Sequence, residues 1–281
     1  MRHAVAITLL AGCGRIHFDP TGSDPDGGSS GRCTADVPFT SITELAELRS
    51  SSSEGGLRLT DDELTAYFHS DRMGGTNLIY VATRASRADM FGTPTLAFNA
   101  PSALWPTVSG DGLTLLYNSA SPAADLYVTT RASKTDMFPT GTAVGALDTA
   151  SREASPMLAR SGTTLYFTRY VPAVGTIEVA SWPGPTASQT ISELAFGDII
   201  YGATLSADER TIYFARGVAE TTIYVAQRAT TTTAFGPAVL VAELESSAAD
   251  NPTWLSTDQC RLYFESDRSG FSRVYVAERG Q

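Results

Sequence analysis

Histidine, lysine and cysteine are scarce in this 281-residue chain, and their scarcity narrows the possible functions. Histidine occurs only as His3, His17 and His69, so a histidine-based catalytic triad or a zinc site with several histidine ligands lacks its residues. Basic residues number 20 against 30 acidic ones, which gives a formal net charge of -10. A surface of that sign repels phosphate backbones and anionic lipid, and we therefore expect no nucleic-acid partner.

The first apolar run of the chain is too short to cross a bilayer as a helix. In "MRHAVAITLLAG", residues 1–12, Arg2 precedes this run, which is typical of a signal peptide. The segment "LAGC" at 10–13 resembles the lipobox of bacterial lipoproteins, in which the cysteine becomes diacylated. The resemblance implies that residues 1–12 are removed and that Cys13 carries a lipid anchor. The alternative is a plain secretory signal with an incidental cysteine. The residue after this cysteine is Gly14 and not an aspartate. In the lipoproteins that this segment resembles, that implies export to the outer membrane.

Residues 13–32 are rich in Gly, Ser, Asp and Pro and cannot bury a core, so we expect a flexible tether there. Apart from Cys13, the chain contains only Cys33 and Cys260, one pair in a compartment where disulfides persist. The two cysteines either form a disulfide or remain free thiols. A bond between them would close a loop of more than two hundred residues, which is expected to stabilise the fold by about 3 to 5 kcal/mol.

Beyond the tether, an aromatic pair recurs five times at nearly regular spacing. The steps between the first members are 49, 50, 47 and 50 residues, close to the period of propeller blades built from four strands. The five pairs are Tyr67–Phe68, Leu116–Tyr117, Tyr166–Phe167, Tyr213–Phe214 and Tyr263–Phe264. A short strand and a tight turn precede each pair, and an alternating strand such as "LIYVATR" follows it. Helical periodicity is absent, so the pattern predicts an all-β fold.

A fourth strand follows in copies one, two and four, whereas copy five ends at Gln281 without one. We expect the missing strand within residues 36–48, "DVPFTSITELAEL", whose end resembles "PAVLVAEL" in copy four. An N-terminal strand that completes the last blade joins the two ends of a ring. The sequence therefore predicts a five-bladed β-propeller over residues 33–281, made of four-stranded antiparallel blades, with the last blade closed by the N-terminal strand.

Two segments carry a resemblance to a known family. "LTDDELTAYFHSDRMGGTNLIYVATR" at 59–84 and "LSTDQCRLYFESDRSGFSRVYVAER" at 255–279 resemble the WD40-like repeat of TolB-type β-propellers. The resemblance extends over about residues 36–281 and is weakest in copy three, which lacks the turn aspartate and the Ser-Asp-Arg tripeptide. It implies a propeller with a binding role in the cell envelope, without implying the partners of TolB. The sixth blade and the additional N-terminal domain of TolB are not evident in this sequence.

Two short motifs recur at the turns of the repeat. Ser-x-Asp places a carboxylate on several blades, which is compatible with calcium binding, but a short carboxylate at a tight turn also accepts hydrogen bonds from its own backbone. Copy three has Ser161 at the aspartate position, which a turn tolerates and a metal site does not. We therefore expect a structural role. The Ser-Asp-Arg motifs at 70–72 and 266–268 are likewise expected to form turn-stabilising ion pairs rather than a ligand site.

Positions that differ between copies lie just before the innermost strands, where we expect the mouth of the central channel. Surface that the repeat does not fix is free to specialise. The candidate ligand-binding residues at this mouth are Trp105, Glu153, Tyr201, Asp250 and Asn251. The two aromatic residues suit stacking on a sugar ring or anchoring a peptide, and the three polar ones suit accepting hydrogen bonds. Ordinary loop variation is the alternative. No catalytic residue, metal ligand or cofactor is expected.

The favoured function is that of a monomeric, non-catalytic lipoprotein of the bacterial cell envelope. Anchored through Cys13 at the outer membrane, on its periplasmic or surface face, it would present the channel mouth to an envelope protein, a peptide or a glycan. A purely structural role in a larger assembly is a variant of this hypothesis. The alternative is a five-bladed glycoside hydrolase-like enzyme acting on polysaccharide, which needs paired carboxylates facing the channel. Only Glu153 and Asp250, at the rim, are available for that purpose, so the enzyme is less favoured.

Overall fold

The structure is a computed structural model and describes residues 33, 36–98, 100, 102–120, 124–171, 174–218 and 220–280. These residues form twenty strands in five four-stranded antiparallel sheets. Three single-turn 3-10 helices accompany them, at Ala46–Leu48, Ser192–Leu194 and Ala242–Leu244. In this part of the chain, no helix is long and apolar enough to span a membrane. The predicted signal peptide, the predicted lipidation site Cys13 and the predicted tether lie outside the described residues.

The five sheets are the blades of a β-propeller, and we number them 1 to 5 along the chain. The first strand of the chain, β1 (Phe39–Glu44), belongs to blade 5. From the innermost to the outermost strand, blade 1 consists of β2 (Glu54–Leu59), β3 (Thr65–Ser70), β4 (Leu78–Thr83) and β5 (Thr95–Phe98). Blade 2 consists of β6 (Ala103–Val108), β7 (Thr114–Ser119), β8 (Leu126–Thr130) and β9 (Thr142–Ala143). Blade 3 consists of β10 (Arg152–Leu158), β11 (Thr164–Val171), β12 (Val174–Ser181) and β13 (Gln189–Thr190). Blade 4 consists of β14 (Ile200–Leu205), β15 (Thr211–Arg216), β16 (Thr222–Gln227) and β17 (Val239–Leu240). Blade 5 consists of β18 (Asp250–Leu255), β19 (Arg261–Ser266), β20 (Arg273–Arg279) and β1.

The two ends of the described chain meet in blade 5. Strand β1 runs antiparallel to β20, with Ile42 opposite Ala277. Cys33 lies ahead of β1 and forms a disulfide with Cys260, which immediately precedes β19; their Cα atoms are 5.0 Å apart. The predicted all-β class, the five four-stranded blades and the closure of the last blade by the N-terminal strand are all confirmed.

The hydrophobic core is divided among the five interfaces between neighbouring blades. Each apolar cluster contains side chains from two adjacent blades, and the cluster between blades 5 and 1 completes the cycle. The recurrent aromatic pair serves two of these interfaces, because successive side chains of a strand point to opposite faces of the sheet. Tyr67 packs toward blade 2, whereas Phe68 packs toward blade 5. Burying a ring of this size contributes about 1.5 to 3 kcal/mol, which explains why the pair recurs in every copy.

The Ser-x-Asp motif closes the turn between the first and second strands of a blade. In blade 2, Ser109 Oγ donates to Asp111 Oδ1 at 2.5 Å, and the same oxygen accepts from the backbone N–H of Leu113 at 3.0 Å. These hydrogen bonds, to the serine first and then to the backbone, hold the pKa of Asp111 below its usual value. The residue that follows, Gly112, has a left-handed φ of 70°. The structural role expected for this motif is confirmed.

Candidate functional site

The five innermost strands surround a central channel, which has two ends. The end at which these strands begin is called the entry end, and it is marked by Glu54, Ala103, Glu153, Ile200 and Asp250. The opposite end is called the exit end, and it is marked by Leu59, Val108, Leu158, Leu205 and Leu255. Each innermost strand carries a register shift against its neighbour close to its start. Such a bulge re-aims the side chains on either side of it.

Trp105 lies at the bulge of β6 and has a left-handed backbone, with φ of 50°. The centroid of its ring is 5.8 Å from that of His69 in blade 1. In blade 4, a Cβ atom placed on Gly202 would lie 3.3 Å from Trp105 Cζ3. The indole of blade 2 thus reaches a blade that is not its neighbour. Trp105 therefore extends across the channel at the entry end.

Tyr201 and Asn251 lie at the entry end on blades 4 and 5. The Tyr201 ring is partly exposed, and its centroid is 5.6 Å from that of Tyr170 in blade 3. Asn251 is buried: its Oδ1, the expected acceptor, accepts from Thr221 Oγ1 at 3.0 Å, and its amide donates to Glu265 Oε1 across 3.5 Å. The structure thus brings Trp105, Tyr201 and Asn251 to one end of the channel. That they bind a ligand stays a prediction.

The other two candidates, Glu153 and Asp250, are fully buried rather than exposed at the mouth. They lie within β10 and β18, not before them. Glu153 Oε1 accepts from Arg169 Nε at 2.9 Å, and Asp250 Oδ1 accepts from Arg268 Nη2 at 2.7 Å. A carboxylate without solvent contact is stable only when a cation compensates its charge. The expectation that these two carboxylates offer free acceptors at the rim is therefore corrected.

The arginine of the Ser-Asp-Arg motif supplies the cation in two blades. Arg268 pairs with Asp250 as described, and Arg72 Nη2 lies 3.4 Å from Glu54 Oε1 at the start of β2. The guanidinium carbon of Arg72 also lies 4.7 Å from the centre of the Tyr80 ring, within the range of a cation–π contact. The motif thus ties the second turn of a blade to the start of its innermost strand. The structural ion pair expected for it is confirmed.

Two titratable side chains that the sequence analysis did not single out also lie at the entry end. Glu265 and His69 each follow the aromatic pair of their strand directly. A Cβ atom placed on Gly55 would overlap Glu265 Oε2 and lie 2.9 Å from His69 Cε1, so both side chains lie against this glycine. Burial raises the pKa of Glu265 to about 7 and lowers the pKa of His69 to about 4. A polar residue directly after the aromatic pair is the signal that could have identified them.

At the exit end, the channel opens into a cavity with an empty volume of about 460 Å³, part of it open to solvent. The wall includes the penultimate residue of each innermost strand, namely Arg58, Thr107, Met157, Thr204 and Trp254. None of these five is a carboxylate. Arg58 could have pointed to this cavity from the sequence, because innermost strands are buried and a charged residue is unusual at a buried position.

A group of three carboxylates lies on blades 2 and 3. Oxygen atoms of Asp125, Asp148 and Glu153 lie within 4.8 Å of one another. Burial, followed by the charges of the two neighbouring carboxylates, raises the pKa of Asp125. Because Glu153 is already engaged by Arg169, the group does not by itself indicate a metal site. The expectation that the protein needs no metal is untested.

No protein-family model and no curated protein matches this chain. Its similarities are to solved structures. TolB from Acinetobacter baumannii has 15% sequence identity and a TM-score of 0.55, with 84% of this chain and 57% of that chain covered. Putative TolB from Agrobacterium tumefaciens has 15% identity and a TM-score of 0.51, with 82% and 74% covered. A thermostable family-43 glycoside hydrolase has 12% identity and a TM-score of 0.57, with 83% and 91% covered.

These comparisons describe the fold and not the activity. The chain spans just over half the length of the Acinetobacter TolB, and the neighbours include an enzyme as well as TolB proteins. Function lies in the site rather than in the fold. The chain is a five-bladed β-propeller whose structural neighbours include TolB proteins.

Proposed function

We propose that this protein is a non-catalytic binding module of the bacterial cell envelope, which holds a protein, peptide or glycan at the entry end of its channel. The observation that carries the proposal is the placement of the Trp105 side chain. The left-handed backbone at this bulge is shared with Gly56, Ser155 and Gly202 in blades 1, 3 and 4, but among these four positions Trp105 alone carries an aromatic ring. Here it places an indole across the channel, with the partly exposed ring of Tyr201 at the same end. Such rings suit stacking on a sugar or holding an apolar peptide side chain.

Three features support a place in the envelope. The Cys33–Cys260 disulfide favours an oxidising compartment, residues 10–13 resemble a lipobox, and the fold is similar to that of TolB proteins. We infer that the protein is anchored at the outer membrane through a lipid on Cys13 and acts as a monomer. Cells fed an alkyne-labelled palmitate should label the wild-type protein and leave Cys13→Ser unlabelled. Equal labelling of the two proteins would contradict the anchor.

The second candidate is a glycoside hydrolase-like activity on polysaccharide. A glycosidase needs two carboxyl groups that flank the scissile bond, and the pair available from the sequence, Glu153 and Asp250, is consumed by buried ion pairs with arginine. One observation keeps this candidate open: burial raises the pKa of Glu265 to about 7, which suits a general acid at neutral pH. Turnover of any polysaccharide that is abolished by Glu265→Gln would replace the binding proposal with this one.

The binding proposal is tested on glycan and peptide arrays with the purified protein. A bound glycan or peptide should be lost, or bound at least about tenfold more weakly, when Trp105→Ala removes the indole. Phe271→Ala is the matched control, because Phe271 is 54% exposed in the turn before β20 and lies outside the channel wall. The proposal fails if no probe binds, or if Trp105→Ala binds as tightly as the control. Capture of a stoichiometric protein from the native envelope would instead favour the structural role.

A further inference from the structure

Two arginines at the exit end have a guanidinium nitrogen without a hydrogen-bond acceptor. Among the arginines that the structure describes, Arg58 and Arg160 are the two whose buried Nη1 atoms lack a partner. Both line the same cavity. A buried donor without an acceptor costs about 1 to 3 kcal/mol, and more when the group is charged. Two such donors at one cavity indicate that the acceptor is a molecule other than the described chain.

Among the described residues, Arg58 has no counter-ion, and its Nη1 has no acceptor. Its side chain is 2% exposed, and its one hydrogen bond runs from Nη2 to the carbonyl oxygen of Ala203, at 2.9 Å. Burial lowers the pKa of Arg58 to about 9, with no neighbouring charge acting on it, so the group remains a cation at neutral pH. Arg273, by contrast, is buried beside a carboxylate, with its Nη1 2.7 Å from Glu54 Oε2. Arg58 therefore carries a positive charge that its surroundings do not neutralise.

The groups around Arg58 suit an oxyanion. Thr204 follows Ala203, lines the cavity, and has a buried hydroxyl oxygen without a partner. Arg160 supplies a second guanidinium, which pairs through Nε with the half-exposed Asp61 at 2.7 Å and lies 4.6 Å from the centre of the Trp254 ring. The cavity thus offers a guanidinium fork, a hydroxyl and an aromatic wall at one place.

We propose that the exit end of the channel binds an oxyanion, a carboxylate or phosphate group of a small ligand, through Arg58 and Thr204, with Arg160 as the second cation. A guanidinium binds planar carboxylates and tetrahedral phosphates through parallel N–H···O bonds, so both groups fit the same donors. The residues proposed to bind the oxyanion are not those of the proposed function at the entry end, so failure of one proposal does not decide the other.

Thermal unfolding of the purified protein in acetate or inorganic phosphate, at constant ionic strength set by chloride, tests the site. A ligand that binds only the folded state raises the melting temperature with the logarithm of its concentration. The wild type should show this rise. Arg58→Met, which keeps the length of the side chain but removes its donors, should need at least about tenfold more anion for the same shift. Arg210→Met, at an exposed arginine, is the control and should behave as the wild type.

Arg58→Lys tests the parallel donors. An ammonium keeps the charge but not the fork, so the response to acetate and the response to phosphate should both fall relative to the wild type. A wild type that does not respond to either anion up to 100 mM, or a rise that persists in Arg58→Met, would overturn the proposal. Crystals soaked in selenate provide a direct check, with an anomalous peak expected beside Arg58 Nη1 and its absence counting against the site.

Discussion

Replacing Glu63 by glutamine is expected to weaken the interface between blades 5 and 1. Glu63 is 2% exposed and reaches from blade 1 to blade 5, where it accepts from Arg261 Nη2 at 2.6 Å and from Arg261 Nε at 2.9 Å. The hydroxyl of Tyr263 donates to the same carboxylate at 3.0 Å. Glutamine preserves the size of the side chain but removes the buried carboxylate, which leaves Arg261 with Asp258 alone, 3.1 Å away. Breaking a buried pair costs about 3 to 5 kcal/mol, and because Arg261 is 21% exposed and keeps this second partner we expect the lower end, about 3 kcal/mol.

The assay is chemical unfolding of the wild type and of two matched variants. Glu209 occupies the same turn position in blade 4, where it accepts from Ser161 Oγ and Tyr166 Oη, each at 2.9 Å, without an ion pair to any described arginine. Glu209→Gln should therefore cost about 1 kcal/mol, the value of weakened neutral hydrogen bonds. Both variants share the left-handed backbone of this turn, so the difference isolates the ion pair. Equal losses for Glu63→Gln and Glu209→Gln would refute the reasoning.

Three further predictions follow from single contacts. Gly202→Ala should cost about 1 to 3 kcal/mol and change tryptophan fluorescence, because φ is 44° and the new Cβ would lie 3.3 Å from the Trp105 ring; an unchanged spectrum and melting temperature would contradict this packing. Cys33→Ser with Cys260→Ser should lower the free energy of unfolding by about 3 to 5 kcal/mol, measured by denaturant, and a loss under 1 kcal/mol would show that the bond adds little. Burial raises the pKa of Glu265 to about 7, above its value in the unfolded chain, so the folded state binds this proton more tightly. The stability that this bound proton contributes is complete at acid pH and is lost as pH rises through about 7. Glu265→Gln should therefore make the free energy of unfolding fall less steeply between pH 5 and 8. A slope identical to that of the wild type would exclude the assignment.

The blade count was predictable because one local pattern has to be repeated in every blade. Each second strand must fill two interfaces, so its aromatic pair recurs whether or not the rest of the copy is conserved. Closure was predictable for a related reason: a blade that lacks its outermost strand leaves an unpaired edge, and residues 36–48 were the one segment left to cover it. Both inferences depend on counting strands and not on distances.

Contacts between blades were not predictable, because they join residues that are distant in the sequence. Three tyrosine hydroxyls accept hydrogen bonds from an arginine of a neighbouring blade. The pairs are Tyr67 with Arg131, Tyr166 with Arg228 and Tyr213 with Arg279. The interface between blades 2 and 3 has no such pair. There, Leu116 occupies the position of the tyrosine and Trp182 that of the arginine, and both side chains belong to the apolar cluster of this interface. The sequence shows two irregular copies, and only the fold shows that an apolar contact replaces the polar one.

The candidate site was predictable in its place but not in its chemistry. Repeat-breaking positions identified Trp105 and Tyr201 at the entry end, because the repeat does not constrain them. Glu153 and Asp250 instead share an equivalent position with Glu54, and in all three blades this carboxylate pairs with an arginine of its own blade. Nor does the sequence show that Arg58 lacks a counter-ion, which depends on every blade that faces the channel. Burial and pairing of charge are properties of the closed ring.

Hydrogen exchange of residues 39–44, followed by mass spectrometry on the oxidised protein, tests the closure of the ring most directly. In β1, the residues from Ser41 to Glu44 pair with Glu278 to Tyr275 of β20, and backbone amides in such a ladder exchange slowly. The account predicts that the peptide covering 39–44 exchanges as slowly as the outer strands of blade 1. Exchange at the rate of an unstructured peptide would show that β1 does not close blade 5. This result would contradict the closed ring and the channel described from it.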